Sequence, residues 1–469
     1  MNEVVDEIYE NETAEELYER IEREKERLIS EGKLKKQKKL PEISEDEIPF
    51  EIPKSWKWVR LESIVLNIST NGKQIQQKEI LKTGKIPVIS QSLNMIEGFS
   101  NDENKIIDIN SEPVIIFGDH SKTLKFVDFN FIVGADGTKI LKPMGYMNEK
   151  CLYYFLKYNV DDIENRGYSR YFRFLREKLI PLPPLSEQKR ISELIDRLFK
   201  KLDEAKEKAL SALNTFKLRK AKILHLAIQG KLSKQLDEYE TAEELYEKIQ
   251  IEKEKLISEG KLKKQKKLPE ISEDEIPFEI PKSWKWVRLG EVFNIIMGQS
   301  PDGESINTEN NGVEFHQGKI YFDKDYILES EYFTSKPTKI VEANTVLLCV
   351  RAPVGTLNIT NRTICIGRGL CGIDTFKNID PKFILYFLRG FEQDFIKKAT
   401  GTTFIAITVE VIKNQVFPLP PLEEQEQILR LLDDIFEKEE KAKKLIESTL
   451  NKIELVKKSI LARAVRGEL

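Results

Sequence analysis

Ile52-Pro53-Lys54-Ser55-Trp56-Lys57-Trp58-Val59-Arg60-Leu61 recurs without change as Ile280-Pro281-Lys282-Ser283-Trp284-Lys285-Trp286-Val287-Arg288-Leu289. This decapeptide ends a longer identity, in which residues 28–61 match residues 256–289 at all 34 positions, an offset of 228. Upstream, Thr13-Ala14-Glu15-Glu16-Leu17-Tyr18 returns as Thr241-Ala242-Glu243-Glu244-Leu245-Tyr246. Downstream, at an offset of 237, Pro181-Leu182-Pro183-Pro184-Leu185-Ser186-Glu187-Gln188 is matched by Pro418-Leu419-Pro420-Pro421-Leu422-Glu423-Glu424-Gln425. Self-similarity of this kind marks a repeat architecture, so the chain is two half-length copies. Between the matched parts lie 119 residues (62–180) and 128 residues (290–417) that share little sequence. A few parallels survive there, notably Tyr154-Phe155-Leu156 and Tyr386-Phe387-Leu388 in helical patterns opened by Asn148 and by Asp380-Pro381. Constant frames around private inserts imply one shared mechanical role and two different recognition tasks.

Each Pro-Leu-Pro-Pro-Leu approaches in extended form, because proline cannot sit inside a helix, and a long helical pattern follows it. In the first copy Ile191, Leu194, Leu198, Ala205, Ala209, Ala212, Phe216, Ile223 and Ala227 keep helical spacing, with Gly230 as the stop. In the second, Ile428, Leu431, Ile435, Ala442, Leu445, Thr449, Val456 and Ile460 do the same, with Gly467 as the stop. A helix of about 44 residues reaches roughly 65 Å, longer than one core needs. Two such stripes flanked by charge predict an intramolecular antiparallel coiled coil that spaces the inserts. Upstream, Thr13-x-x-Glu16 and Thr241-x-x-Glu244 read as capping boxes of amphipathic helices that Gly32 and Gly260 end. The lysines at 33, 35, 36, 38 and 39, repeated at 261, 263, 264, 266 and 267, read as a solvated linker or as a phosphate or acidic-partner contact. Trp56, Trp58 and their copies read as packing residues.

The 469 residues carry Lys+Arg 75 against Asp+Glu 78, a net charge of −3 with 33% of residues charged. That balance argues against a uniformly basic coat but leaves room for local basic surfaces. With 40% hydrophobic residues, global disorder is excluded. Cys151, Cys349, Cys365 and Cys371 lack Cys-x-x-Cys spacing, and His120, His225 and His316 lie far apart, so buried reduced thiols are expected and no metal site. Apolar runs such as 346–350 fall far short of the ~18 residues that span a bilayer, and Met1-Asn2-Glu3 opens no signal segment. A soluble cytoplasmic protein is expected.

Both inserts read as mixed α and β, with apolar runs at 86–89, 113–117 and 129–133, then 345–350 and 363–366, between Gly, Asn and Asp turns. No phosphate loop, dinucleotide fingerprint, nucleophile elbow or His-Glu-x-x-His is present, and no catalytic residue is assigned. Asp119-His120-Ser121 places acid, imidazole and hydroxyl side by side, but adjacent residues on an extended loop point apart, so a polar loop is favoured over a catalytic one. The inserts do offer residues that match base edges, Arg and Lys for guanine, Asn and Gln for adenine. In the first these are Asn71, Lys73, Gln74, Gln91, His120, Ser121, Lys122, and the cluster Arg166, Tyr168, Arg170, Tyr171 and Arg173. In the second they are Gln299, Ser300, Gln317, Lys319, Arg351, Arg368, and, at the place of the arginine cluster, Thr402 and Thr403.

Two variable inserts, the Ile-Pro-x-Ser-Trp-x-Trp-Val-Arg-Leu lead-in and the Pro-Leu-Pro-Pro-Leu-x-Glu-Gln run into each long helix together resemble the DNA specificity subunit of type I restriction-modification systems, over essentially the whole chain. The resemblance implies an α+β fold: two globular α/β target recognition domains joined by two long antiparallel coiled-coil helices, with a pseudo-two-fold internal repeat. The expected divisions are 1–45 (N-terminal helix and basic linker), 46–185 (first recognition domain), 186–273 (central helical region), 274–422 (second recognition domain) and 423–469 (C-terminal helix). It implies a non-catalytic subunit in which each domain reads one half of a bipartite, asymmetric site in double-stranded DNA while the helices set the spacer. The implied partners are two methyltransferase (modification) subunits and motor-nuclease (restriction) subunits, with no membrane. No cofactor is expected in this chain, S-adenosylmethionine, ATP and Mg being expected on the partners. Two competing readings remain: a scaffold with two peptide-binding domains, and a nuclease using Asp119 and His120.

Overall fold

The computed structural model describes residues 12–35, 40–134, 137–165, 167, 169–233, 240–376, 379–400 and 406–469. Chain contacts divide it into two units, Met1–Leu210 with Glu447–Leu469, and Ser211–Ile446. Unit 1 runs α1 (Ala14–Ser30), β1 (Lys57–Arg60), α2 (Leu61–Ile64), β2 (Val65–Ile68), β3 (Ile86–Ile89), β4 (Gly98–Ser100), β5 (Val114–Gly118), β6 (Leu124–Val127), β7 (Ile132–Val133), β8 (Thr138–Pro143), α3 (Glu149–Asp161), α4 (Phe172–Arg176), β9 (Leu179–Leu182) and the start of α5 (Leu185–Ile228). Unit 2 runs from the end of α5 through α6 (Ala242–Ser258), β10 (Lys285–Arg288), α7 (Leu289–Val292), β11 (Phe293–Met297), β12 (Ile306–Asn307), β13 (Val313–His316), β14 (Phe333–Thr334), β15 (Ile340–Val341), β16 (Val346–Cys349), β17 (Leu357–Ile359), β18 (Ile364–Ile366) and β19 (Leu370–Thr375). It then continues through α8 (Pro381–Gly390), α9 (Glu392–Lys398), α10 (Val409–Asn414) and β20 (Val416–Leu419) to the first part of α11 (Leu422–Val465).

The repeated motifs pair with one another, which explains why they recur together. In unit 1 the decapeptide's β1 lies antiparallel to β9, with Trp58 opposite Pro181 and Arg60 opposite Leu179. In unit 2 β10 meets β20 in the same register, Trp286 opposite Pro418 and Arg288 opposite Val416. Each insert therefore begins and ends at one two-stranded neck. The helix after the neck starts on a fixed cap, because the buried Gln188 donates Nε2–H to Pro183 O at 2.8 Å and Gln425 does the same to Pro420 O at 2.8 Å. Trp56 and Trp284 are buried against Phe155 and Phe387, as packing residues. All four cysteines are free and buried.

Although the inserts share little sequence, their sheets have one topology. The four-stranded sheet β2-β8-β5-β6 of unit 1 has the same order and antiparallel pairing as β11-β19-β16-β17 of unit 2. In the second sheet of unit 1, β3 pairs antiparallel with β4 and parallel with β7, and in unit 2 β13 pairs antiparallel with β14 and parallel with β18. The cores form on the inner faces of these sheets and under α3 and α8, whose Tyr154-Phe155-Leu156 and Tyr386-Phe387-Leu388 are buried. Asn148 and Asp380 cap the two helices through the amides of Cys151 (2.8 Å) and Lys382 (2.7 Å).

Both capping boxes form, Thr13 with Glu16 and Thr241 with Glu244. The predicted stops hold: Gly32, Gly260, Gly230 and Gly467 all have φ near +70°, the left-handed conformation that ends a helix without a Cβ penalty. The two 44-residue helices run antiparallel inside each unit. In unit 1 Lys206 meets Glu454 at 2.6 Å and Asp203 meets Lys457 at 2.5 Å, and in unit 2 Arg219 meets Glu439 at 3.1 Å. The stripe itself needs correcting. Ala205, Leu445, Thr449 and Val456 face solvent, and the covered seam passes through Leu202, Lys206, Ala209 and Leu213 in α5 and through Ile446, Leu450, Ile453 and Lys457 in α11. The apolar residues one position off the seam drew the sequence reading, while the lysines on it lie along their stems and put the ammonium at the rim. No described helix is long and apolar enough to cross a membrane.

Candidate nucleic-acid interface

The shared topology lets the two inserts be superimposed by hydrogen bonds instead of by sequence. Gly134 N donates to Ile89 O at 2.8 Å beyond the β3–β7 pair, and Gly367 N donates to His316 O at 2.8 Å beyond β13–β18. Asp119 N donates to Gly137 O (2.7 Å) where Val350 N donates to Gly369 O (2.9 Å). Tyr171 N donates to Asp119 O (2.8 Å) where Ile407 N donates to Val350 O (2.9 Å). His120 thus stands where Arg351 stands, and the residues after β3 stand where those after β13 stand. Polar loops leave the same strand ends in both units.

In unit 1 these loops are tied together by the candidate residues. Gln91 Oε1 accepts from His120 N at 3.1 Å, and Gln91 O accepts from the hydroxyls of Ser121 (2.6 Å) and Thr123 (2.9 Å). His120 Nδ1 lies 3.1 Å from Ser169 O, bringing the exposed Arg170 beside the imidazole loop. Gly137 closes the cluster, since a Cβ there would come 2.9 Å from His120 Cδ2 and 3.1 Å from Gln91 Nε2. Gln74 bridges to Val133 on the flank and donates to Thr70 Oγ1 at 3.1 Å, Lys73 reaches Asn104 O at 2.7 Å, and Asn71 is exposed.

In unit 2 Ser300 Oγ donates to Gln317 Oε1 at 2.8 Å and lies 3.3 Å from Arg368 Nε, so three of the candidates converge. Gln299 joins through Thr338, whose hydroxyl donates to Gln299 O. Arg351 pairs in backbone register with Ala406 at the edge of the same surface, and Lys319 follows Gln317 by two residues. Charge sorts the arginines. Arg288, 2% exposed, holds Glu275 through two contacts of 3.0 and 2.8 Å, and that pairing with the Ser272 amide keeps the Glu275 carboxyl down at about 2. Arg389 pairs with Asp325 at 2.6 Å. Arg170, Arg351 and Lys319, by contrast, make no side-chain hydrogen bond or ion pair among the described residues.

Some expectations change. Tyr171 is 1% exposed, its hydroxyl bonded to Gly167 O at 2.7 Å and its ring in the core, so it supports the loop and offers no face to a ligand. Lys122 turns inward, its Nζ on Ile163 O at 3.0 Å and 5.3 Å from the Tyr171 ring centroid. Asp119 is buried and caps α4 through Phe172 N at 2.8 Å, away from the imidazole's partner Ser169. Arg173 is exposed and lies over the Phe174 ring at 4.4 Å. Arg166, Tyr168, Thr402 and Thr403 lie outside the described residues. Sequence reading passed over Ser90, which takes the place of Gln317, and Ser169, whose carbonyl anchors His120. The sheet register reveals the first and the imidazole contact the second.

A family description, type I restriction modification DNA specificity domain, matches residues 53–215 and again residues 281–452. The chain belongs to this family. Its two specificity domains are the two inserts with their necks and the adjoining helix. The putative type I restriction enzyme MjaX specificity subunit of Methanocaldococcus jannaschii is 35% identical over 286 residues, 60% of this chain and 58% of that protein, so less than two thirds of that relative is spanned. The EcoAI specificity subunit of Escherichia coli is 27% identical over 519 residues, covering 93% of this chain and 87% of that one. The crystal structure of the HsdS subunit from Thermoanaerobacter tengcongensis matches with a TM-score of 0.57 at 25% identity, covering 90% of this chain and 100% of that one. Membership in a DNA specificity family sets aside the peptide-scaffold reading.

One brace holds β13 of the second specificity domain, the strand that leads into Gln317. Glu314, on β13 three residues before Gln317, takes Arg362 on both oxygens at 2.6 Å, the Ser330 amide at 2.7 Å and the fully buried His316 at 2.7 Å. Burial raises this carboxyl, but Arg362, the Ser330 amide and His316 outweigh it and hold it at about 2. Because the folded value lies below the ordinary 4.5, the stabilisation is full above pH 4.5 and is lost as pH falls toward 2. Glu314→Gln is expected to cost unit 2 about 2 kcal/mol at pH 7, and the gap from wild type should narrow in urea melts repeated at pH 3.

Proposed function

We propose that the two specificity domains read two unlike halves of one bipartite site in double-stranded DNA. The observation that carries this is the placement of different polar side chains at the same strand ends of two domains with one topology: His120 against Arg351, Ser90 against Gln317. A common scaffold with exchanged loop chemistry is what two unlike half-sites require, and an asymmetric target follows. The exposed candidates for base and phosphate contact are Asn71, Arg170, Arg173, Gln299, Gln317, Lys319, Arg351 and Arg368, with Gln91 half-buried.

The remaining parts of the reading are also proposals. The paired helices set the spacer between half-sites and dock two modification subunits, which supply S-adenosylmethionine and adenine N6 methylation; restriction subunits add ATP- and Mg-dependent cleavage, in the cytoplasm. Exposed aliphatics on the helices, Leu218 in unit 2 and Leu455 and Val456 in unit 1, support a docking role. Methylome sequencing of cells expressing the complete system is the direct test. The expected result is one methylated motif made of two unrelated short sequences separated by unspecified bases; a palindrome, or no motif that depends on this chain, would refute it.

A further inference from the structure

The two most exposed large apolar side chains among the described residues are Leu93, 92% exposed, and Ile320, 86% exposed. They occupy one place in the topology. Ile89 pairs with Val133 and His316 with Ile366 in equivalent parallel ladders, and each aliphatic residue stands four positions after its ladder residue. Both lie within two residues of a candidate reader, Leu93 two after Gln91 and Ile320 one after Lys319. Isolated exposed leucines need no explanation. The same chemistry at one topological position in two domains that otherwise differ in sequence does need one.

Neither side chain is on a loose segment. The loop carrying Leu93 is held from below by the buried Lys125, whose Nζ donates to Ser90 O at 2.8 Å and to Asn94 O, and Ser92 N donates to Ser90 Oγ at 3.2 Å. Ile320 is the middle residue of a 3-10 turn, Lys319–Tyr321. There Tyr321 packs edge-on against His316 with ring centroids 5.4 Å apart, and its backbone carbonyl accepts from Leu328 N at 2.8 Å. A braced backbone that projects an aliphatic tip beside hydrogen-bonding side chains is suited to pressing on base edges, where thymine methyls and partly opened base steps give apolar contact.

Resting on the DNA reading above, we infer that Leu93 and Ile320 are paired specificity-determining prongs, each desolvated against the bases of its own half-site. The test uses the assembled complex with its modification subunits and duplexes carrying the methylated motif, with single base changes in either half. Leu93→Ala is expected to lower target affinity about tenfold, to flatten the penalties for base changes in one half-site only, and to leave affinity for a scrambled duplex and complex assembly unchanged. Ile320→Ala is expected to do the same at the other half-site only, while Leu93→Ile and Ile320→Leu restore most of the discrimination. Wild-type discrimination in both alanine variants would overturn the inference, as would loss of assembly, which would make these side chains partner contacts. Either result leaves the DNA reading standing if the wild-type complex prefers its motif, whereas absence of that preference in wild type would refute the reading itself.

Discussion

Arg351→Ala is expected to weaken binding of the complex to its target by about 1–3 kcal/mol, with discrimination lost at the half-site read by unit 2 and kept at the other. Arg170→Ala should give the mirror result. The expectation rests on where the charge is committed. Arg288, Arg362 and Arg389 are locked by carboxylates and backbone carbonyls, so they hold the fold. Arg351 and Arg170 are exposed, lie at equivalent edges of the two domains, and keep their guanidinium donors available among the described residues. Losing a guanidinium that reads a guanine edge removes sequence preference, whereas losing one that meets only phosphate weakens binding to all duplexes equally and lowers its salt dependence. Affinity for target and scrambled duplexes at two salt concentrations separates these outcomes. Equal loss on both duplexes would assign Arg351 to the backbone.

The repeated parts were legible from sequence because their physics is local. Capping boxes, glycine stops and the proline-bounded start of each long helix depend on residues within four or five positions, and the 34-residue identity made each signal appear twice. The common topology of the inserts was hidden for a definite reason. Taking equivalent hydrogen-bonded residues, the offset between copies is 227 at Ile89 and His316, 231 at Gly118 and Cys349, and 236 at Tyr171 and Ile407. Small insertions in successive loops thus shift the frame repeatedly, and strands of two to six residues are too short to re-establish a match. Residue type alone singled out Gln91, Gln317 and Arg351, which lie just beyond the ends of β3, β13 and β16. Type does not distinguish a surface side chain from one turned inward, and so Tyr171 and Lys122 were grouped with the readers although the core holds one and a carbonyl the other. The coiled-coil phase failed for a related reason: a seam that includes Lys206 and Lys457 has no purely apolar stripe to follow.

Gly467→Ala and Gly230→Ala should each destabilise the protein by about 2–5 kcal/mol, the sum of about 1–2 kcal/mol for a left-handed alanine and about 1–3 kcal/mol for overpacking. The four helix-ending glycines provide their own control. Gly32 and Gly260 share the conformation, with φ of +69° and +73°, but an added Cβ would meet nothing within 4 Å. At Gly467 the Cβ would fall 2.4 Å from Pro53 Cγ and 3.3 Å from Trp56, and at Gly230 it would fall 2.4 Å from Pro281 Cγ and 3.2 Å from Trp284. The end of each long helix therefore seats on the Ile-Pro-x-Ser-Trp segment, which is why that decapeptide is repeated unchanged with the helices. Alanine at Gly32 or Gly260 should cost only the conformational share, about 1–2 kcal/mol. Urea melts of the full chain would show the difference as a larger fall in midpoint for Gly230→Ala and Gly467→Ala than for the two control variants. Equal falls in all four would mean that the helix ends do not bear on the prolines, and that the decapeptide is repeated for its strand pairing alone.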